Sequence, residues 1–123
     1  MKRVMVVDDE QGARKILNIL LNRVGFFVIE AANADDALKH LEADIPDLII
    51  LDIMMGGMDG ITLCRTLRNH PQTAQTPILM LSARSDGEAV VQSADAGATD
   101  YIQKPIFHND LVARVRALLK MSD

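Results

Sequence analysis

The segment VMVVDDE, residues 4–10, places four consecutive apolar residues directly before three acids. An apolar run without polar alternation is typical of a strand that is covered on both faces of a parallel sheet. Four other short runs have a similar character, and we predict a strand for each of them. These runs are 26–30, 48–51, 78–81 and the less apolar 100–102. With residues 4–7, they make five predicted strands.

Amphipathic stretches lie between these strands and after the last one. In residues 13–24, apolar side chains recur at helical i, i+3 and i+4 positions, and Gly25 is suited to end this helix. Asn33 is suited to cap the second helix. Apolar positions within 61–67, 89–94 and 111–119 indicate three further helices.

This alternation of strands and helices predicts one α/β domain over residues 1–123. A doubly wound parallel sheet with helices on both faces and right-handed crossovers follows from that pattern. For a chain of this length we predict the flavodoxin-like strand order 2-1-3-4-5. In such sheets, ligands bind at the carboxyl ends of the strands, where the strand order reverses.

Charge and cysteine content exclude several other classes of protein. The formal net charge is -4, and an acidic domain repels the phosphates of nucleic acids and anionic membranes, so we expect direct binding to neither. A single cysteine, Cys64, excludes a disulfide bond within the chain and is interpreted as a small buried hydrophobe. The apolar run at the start is too short for a signal peptide or a membrane span. We therefore expect a cytoplasmic domain.

Polar side chains follow the predicted strands at the edge where a site is expected. Asp8 and Asp9 follow the first strand, Asp52 the third, Ser82 the fourth, and Lys104 comes soon after the fifth. Carboxylates that converge in one pocket repel each other and favour a hard divalent cation such as Mg²⁺. The lysine and the hydroxyl suit phosphate oxygens, and a carboxylate can itself form an aspartyl phosphate. The pattern therefore indicates phosphoryl transfer to Asp52.

Each of these residues also has an ordinary interpretation when it is considered alone. Acidic residues after a strand are often solvated loop residues, or are stabilised by the positive end of a helix dipole. For Asp8 and Asp9 considered alone, this interpretation is as good as a metal site. Considered alone, Ser82 is interpreted as a helix cap or a loop hydroxyl, and Lys104 as a solvated surface lysine. The order of acids, hydroxyl and lysine along successive strands is what favours a site.

The chain resembles the receiver domains of bacterial two-component response regulators, the family that includes the chemotaxis protein CheY. The resemblance covers essentially the whole chain. It is carried by VMVVDDE at 4–10, DLIILDIMMGGMDG at 47–60, PILMLSAR at 77–84 and AGATDYIQKP at 96–105. It implies a CheY-like fold and a phosphoacceptor switch that catalyses only its own phosphorylation and dephosphorylation.

The resemblance also implies roles for individual residues. Asp52 matches the phosphoacceptor, and Lys104 and Ser82 match the lysine and the hydroxyl beside it. Mg²⁺ would be held by Asp8, Asp9, Asp52 and the backbone carbonyl of Met54. Met54 and Arg84 flank the acceptor, where side chains in this family tune the attack of water on the aspartyl phosphate.

A conformational switch is implied as well. The charge added at Asp52 would draw Ser82 and Lys104 toward it, and Tyr101 would turn inward. Without the resemblance, Tyr101 would be interpreted as a half-exposed strand residue. The peptide bond before Pro105 would be cis. The surface of the fourth helix, fifth strand and fifth helix would then change through a population shift. A sensor histidine kinase or phosphotransfer protein would supply the phosphoryl group, and an output domain or protein would bind the changed surface.

This output surface carries charged residues that could join two copies of the chain. They are Asp95, Asp100, Arg114 and Arg116. One interpretation is a symmetric homodimer, as in receivers that dimerise through this face. The alternative is a solvated face whose ion pairs contribute little stability. The sequence identifies neither the kinase nor the output.

Three features depart from the family pattern. Gly56 stands where the family often has proline, so Gly56 and Gly57 predict a flexible loop after the acceptor. Phe107 occupies the capping position of the last helix, and we favour local packing over an exposed partner contact. The fourth helix is poor in large apolar residues, which predicts a loosely held element.

Three other functions fit parts of the pattern. A Mg²⁺-dependent phosphatase of the haloacid dehalogenase type also uses an aspartate nucleophile, but it has a D-x-D motif where this chain has Asp8-Asp9-Glu10. A degenerate receiver that only binds partners would lack some of the residues needed for phosphoryl transfer. This chain has all of them, at positions 8, 9, 52, 82 and 104, so that alternative is disfavoured. A nucleotide-binding protein is disfavoured because the chain lacks a G-x-G-x-x-G or P-loop motif.

Overall fold

Strands and helices alternate along the computed structural model, which describes residues 1–83 and 87–121. In chain order these elements are β1 (Arg3–Val7), α1 (Gln11–Arg23), β2 (Phe27–Ala31), α2 (Ala34–Ala43), β3 (Leu48–Asp52), α3 (Gly60–Arg68), β4 (Ile78–Ser82), α4 (Gly87–Asp95), β5 (Asp100–Gln103) and α5 (His108–Leu118). All ten predicted elements are present. Asp52 and Ser82 are the last residues of their strands rather than the first residues of the loops. Arg84 lies outside the described residues.

The strands form one parallel sheet in the predicted order β2-β1-β3-β4-β5. Val7 at the end of β1 pairs with Ala31 of β2 and Leu51 of β3. Asp52 pairs with Leu81 in the next strand. The carboxyl ends of the three central strands therefore lie side by side, at the edge of the sheet where the site is predicted.

Side chains of each strand alternate between two apolar cores. Met5 and Val7 face the core beneath α2 and α3, whereas Val4 and Val6 face the core beneath α1 and α5. Because all four side chains are 0–1% exposed, residues 4–7 of β1 have no place for a solvated side chain. This burial on both faces explains the continuous apolar run VMVV.

The helix ends follow from local sequence. The side chain of Asn33 caps α2 by accepting a hydrogen bond from the Asp36 amide at 2.8 Å, as predicted. Asp59 caps α3 in the same way, with 2.8 Å to the Thr62 amide. Gly25 follows α1 with a φ of 98°, a left-handed conformation that glycine adopts without steric cost.

Two predictions about side-chain packing have opposite outcomes. Cys64 is fully buried, as expected, and its Sγ lies 3.5 Å from the carbonyl oxygen of Ala96. Phe107 does not pack locally, because 72% of the residue is exposed. It takes the capping position of α5 without a side-chain cap bond, so the packing interpretation is wrong.

The fourth helix contributes little apolar surface to the core. Ala89 and Ser93 are the buried residues of α4, and both are small. Val90 and Val91 are 46% and 58% exposed. This limited burial agrees with the prediction that α4 is loosely held, which stays a prediction. Among the described residues, no helix has the length and apolar character that crossing a membrane requires.

Candidate functional site

Two carboxylates and one ammonium group meet at the carboxyl edge of the sheet. Lys104 Nζ lies 3.1 Å from Oδ2 of Asp52 and 3.8 Å from Oδ2 of Asp8. The side chains of Asp8 and Asp52 are only 3% and 7% exposed, whereas that of Lys104 is 29% exposed. Among the residues that the structure describes, one positive charge therefore faces two nearly buried carboxylates, and part of their negative charge is left without a counter-ion.

The end of β5 brings Lys104 to this edge. The Lys104 amide donates a 2.7 Å hydrogen bond to the carbonyl oxygen of Ser82, which continues the pairing of β4 with β5. The bond between Lys104 and Pro105 is cis, as the family resemblance implied. Ser82 itself is fully buried at the end of β4, one strand away from Asp52.

The electrostatics of Asp8 reflect its buried position. Burial raises the pKa of the Asp8 carboxyl, and the nearby Asp52 carboxylate raises it further. The Glu10 amide, which donates to Asp8 Oδ1 at 2.9 Å, and the charge of Lys104 oppose this rise. A second cation beside Asp8 and Asp52 would favour their ionised forms, so the donor set suits a hard divalent ion with oxygen ligands.

The backbone around Asp52 fixes the orientation of its carboxylate. Oδ1 accepts a 3.0 Å hydrogen bond from the Met54 amide, while Oδ2 faces Lys104. Gly60 at the start of α3 packs directly on the Asp52 backbone, where a β-carbon would meet the main chain of Asp52 and Ile53. The sequence pattern alone does not identify Gly60 as part of the site. Its only signal was a glycine at the start of a predicted helix.

Asp9 does not join the other two carboxylates. It is exposed, and its Oδ2 accepts a 3.0 Å hydrogen bond from the Gly56 amide. In residues 1–83 and 87–121, no three His, Cys, Asp or Glu side chains form a group that could hold a metal ion. Asp9 therefore bonds to the loop after Asp52 rather than grouping with Asp8 and Asp52, and its role as a metal ligand stays a prediction, as does the flexibility of the loop at Gly56 and Gly57. Met54 is exposed, with its amide on Asp52.

Tyr101 lies on β5, beside the output surface that the sequence indicated. It is half-buried and packs against the core beneath α2 and α3. Its carbonyl oxygen accepts a 3.1 Å hydrogen bond from Arg114 Nη1. The same nitrogen lies 3.1 Å and 3.2 Å from the two carboxylate oxygens of Asp100. Two of the charges considered for a homodimer, Asp100 and Arg114, are therefore paired within one chain.

A polar network behind Asp8 was missed by the sequence analysis. Arg14 of α1 donates from Nη1 to the backbone carbonyl oxygen of Asp8 at 2.8 Å and from Nε to Glu30 of β2 at 3.2 Å. Asn18 of α1 donates to the other carboxylate oxygen of Glu30 at 2.7 Å. The available signal was a charged residue inside a strand that was otherwise predicted to be buried.

Comparisons with known proteins show which family the chain is similar to. A family model of the response regulator receiver domain matches residues 4–116. The transcriptional regulatory protein ResD of Bacillus subtilis is 44% identical over 119 residues, which are 96% of this chain and 48% of ResD. The alkaline phosphatase synthesis transcriptional regulatory protein PhoP of the same species is 41% identical over 122 residues, 99% of this chain and 50% of PhoP. The chain thus spans about half the length of these curated relatives.

Solved structures show the same fold. The chemotaxis protein CheY4 of Vibrio cholerae superposes with a TM-score of 0.92 and 30% sequence identity. The superposition covers 96% of this chain and 98% of that protein.

Proposed function

The chain belongs to the response regulator receiver domain family of two-component signalling, and on that premise we propose that Asp52 is its phosphoacceptor. The observation that carries the proposal is the position of Lys104 Nζ, 3.1 Å from Oδ2 of Asp52 and 3.8 Å from Oδ2 of Asp8. This arrangement supplies a fixed positive charge where a phosphoryl group on Asp52 would lie. Phosphoryl transfer depends mainly on such positioning and charge neutralisation.

A magnesium ion is part of the proposal. Asp8, Asp9, Asp52 and the carbonyl of Met54 would hold it, and the unbalanced charge of Asp8 and Asp52 supports this assignment. When bound, Mg²⁺ supplies positive charge for the phosphoryl oxygens and the surrounding carboxylates. The Asp9 carboxylate would then bind the ion either in place of the hydrogen bond that it accepts from the Gly56 amide or in addition to it.

The proposed transfer uses a carboxylate that is already oriented. One oxygen of Asp52 forms a bond to phosphorus while the P–N bond of a phosphohistidine breaks and its electron pair returns to the imidazole. The Met54 amide and Lys104 hold the two carboxylate oxygens before the donor arrives. In the slow return to the resting state, water forms a new bond to phosphorus and the bond to Asp52 breaks.

The phosphorylated state would be transmitted through β4 and β5. The Ser82 hydroxyl and Lys104 would move toward the phosphoryl oxygens, and Tyr101 would turn inward against α4. The small residues of α4, Ala89 and Ser93, support a surface that can shift at low cost. The change would be a shift between two populations of one fold.

The partners are proposed from the relatives. A sensor histidine kinase or a phosphotransfer protein would donate the phosphoryl group, and the relatives' names support transcriptional control as the output of a longer protein. The acidic receiver itself would bind neither nucleic acid nor membranes directly, and any DNA binding would belong to another part of that protein. A homodimer through α4, β5 and α5 remains a proposal, as does a cytoplasmic location.

The decisive experiment is phosphorylation by a small donor. We expect incubation with Mg²⁺ and acetyl phosphate to add one phosphoryl group by intact-mass spectrometry. Asp52→Asn should abolish the added mass, whereas Asp47→Asn, just before the opposite end of β3, should retain it. Asp47 is a suitable control because it accepts a backbone hydrogen bond from Arg3, which asparagine can also accept. A mass shift that survives Asp52→Asn would overturn the assignment.

The same preparation tests the phosphatase alternative. We expect no release of inorganic phosphate from p-nitrophenyl phosphate over hours, because this chain has Asp8-Asp9-Glu10 where the haloacid dehalogenase type has its D-x-D motif. Multiple turnovers of this phosphomonoester would favour the haloacid dehalogenase type of activity instead.

A further inference from the structure

The network behind Asp8 connects three elements of the fold. Arg14 and Asn18 lie one turn apart on α1, Glu30 lies on β2, and the accepting carbonyl belongs to Asp8 at the end of β1. Both carboxylate oxygens of Glu30 are occupied, one by Arg14 and one by Asn18. The guanidinium group of Arg14 is thus held in one orientation by Glu30 and by the carbonyl oxygen of Asp8.

Burial makes this network more constrained than a surface ion pair. The side chains of Arg14 and Glu30 are 14% and 23% exposed. Glu30 pairs with Val6 in the sheet, so its carboxylate emerges beneath α1 rather than in open solvent. Charge-assisted hydrogen bonds in such surroundings are stronger and more directional than exposed ones.

The hydrogen bond from Arg14 to the Asp8 carbonyl connects this network to the backbone of the acidic pair. The Asp8 amide donates to the carbonyl oxygen of Ala31 at 3.1 Å, and the Asp8 carbonyl accepts from Arg14 at 2.8 Å. The peptide groups on both sides of Asp8 are therefore fixed, and the second of them also carries the amide of Asp9. Rotation of that peptide would redirect both acidic side chains.

We propose that Arg14, held by Glu30, which Asn18 fixes in turn, is a positioning residue that orients Asp8 and Asp9 for cation binding. This inference rests on the proposed function, since it assigns Arg14 a role in the same site. Pairing with Glu30 also neutralises the guanidinium, so that Arg14 supports the backbone of the acidic pair without repelling a divalent ion. An ion pair between Arg14 and Glu30 that only attached α1 to β2 would not need the Asp8 carbonyl as a second partner of Arg14.

The test compares three variants of the full chain. Arg14→Met removes the donors and keeps the apolar length of the side chain, whereas Arg14→Lys keeps the charge but lacks the planar fork that reaches both partners. Arg3→Met is the matched control, because Arg3 lies at the other end of β1 and forms an ion pair with Asp44. Calorimetric titration with Mg²⁺ gives the dissociation constant, and urea unfolding gives the stability of each variant.

We expect both Arg14 variants to weaken Mg²⁺ binding by roughly tenfold, as is usual when a group that orients a metal ligand is lost. Arg3→Met should lose stability without a change in that constant. In ¹⁵N NMR spectra recorded without Mg²⁺, Arg14→Met should shift the Asp9 amide, because the hydrogen bond that polarises its peptide group is gone. This last readout does not depend on phosphorylation or on metal binding.

The outcomes separate the inference from the proposed function. If wild-type protein binds Mg²⁺ and is labelled on Asp52 while Arg14→Met binds Mg²⁺ equally well, the positioning role is wrong and the proposed function stands. An unshifted Asp9 amide, or equal weakening by Arg3→Met, would also overturn it. If wild-type protein neither binds Mg²⁺ nor is labelled, the proposed function fails and the positioning role fails with it.

Discussion

The ammonium nitrogen of Lys104 lies 3.1 Å from Oδ2 of Asp52, close enough for a charge-assisted hydrogen bond. The same nitrogen is 3.8 Å from Asp8, so one lysine serves two nearly buried carboxylates. In this structure Lys104 balances the charge of the two carboxylates, and its proposed role after phosphorylation is to contact the phosphoryl oxygens. Removing it should therefore affect metal binding and phosphorylation in opposite directions.

Replacing Lys104 by methionine tests this opposition. Without the ammonium group, the negative potential at Asp8 and Asp52 increases, so Mg²⁺ should bind more tightly in calorimetric titrations. The rate of Asp52 labelling by acetyl phosphate should fall by about 10²-fold, which is typical for loss of one group that stabilises developing charge. Lys39→Met on the exposed part of α2 should change neither quantity. Labelling of Lys104→Met at the wild-type rate would contradict the role given to this lysine.

Gly60 should tolerate no side chain. A β-carbon there would clash with the carbonyl oxygen of Asp52 and lie 2.9 Å from both the Asp52 carbonyl carbon and Ile53 Cα. Since these are backbone atoms of a buried strand end, Gly60→Ala should lower the free energy of unfolding by about 3 kcal/mol and slow Asp52 labelling. Gly87→Ala is the matched control, because Gly87 also begins a helix and a β-carbon on it would meet no atom of the described residues within 4 Å. Equal unfolding midpoints for the two variants would show that the β3–α3 junction relaxes freely.

Much of the fold could be predicted because the responsible interactions are local or follow from parallel topology. Continuous apolar runs mark strands with two covered faces, and Asn33 marks a helix start whatever lies around it. Once the strand order is known, the residues that end β1, β3 and β5 must share one edge. The predicted topology therefore places Asp8, Asp52 and Lys104 near one another, and in the structure Lys104 lies close to both carboxylates.

The remaining features depend on how separate elements approach each other. An apolar residue before a helix packs or stays exposed according to the angle at which the chain enters, and Phe107 is exposed. Neighbouring carboxylates in a loop diverge, so Asp9 bonds to Gly56 while its neighbour Asp8 is buried. The partner of Glu30 lies on a different element, and no local pattern identifies Arg14 as that partner.

The buried thiol of Cys64 should make stability depend on alkaline pH. Burial raises the pKa of this thiol above its ordinary value of 9.0, with Arg68 and Arg65 opposing the rise. The folded chain therefore holds the thiol proton to higher pH than the unfolded chain, so this contribution is present below pH 9.0 and decreases as pH rises above it. Relative to Cys64→Ala, wild-type protein should lose up to about 1.4 kcal/mol per pH unit in that range. Urea unfolding of both proteins at several pH values measures this difference, and parallel curves would contradict it.

Asp9 allows its charge to be separated from its hydrogen bond. Asparagine at this position can still accept from the Gly56 amide, which now lies 3.0 Å from Asp9 Oδ2, but it brings no charge to a cation. Alanine removes both. Hydrogen exchange at the Gly56 amide should therefore stay slow in Asp9→Asn and become faster in Asp9→Ala, whereas Mg²⁺ affinity should fall by about tenfold or more in both variants, because ligand charge sets the affinity for hard cations. Wild-type affinity in Asp9→Asn would mean that Asp9 only tethers the loop, and that Asp8 and Asp52 alone supply the negative charge of the site.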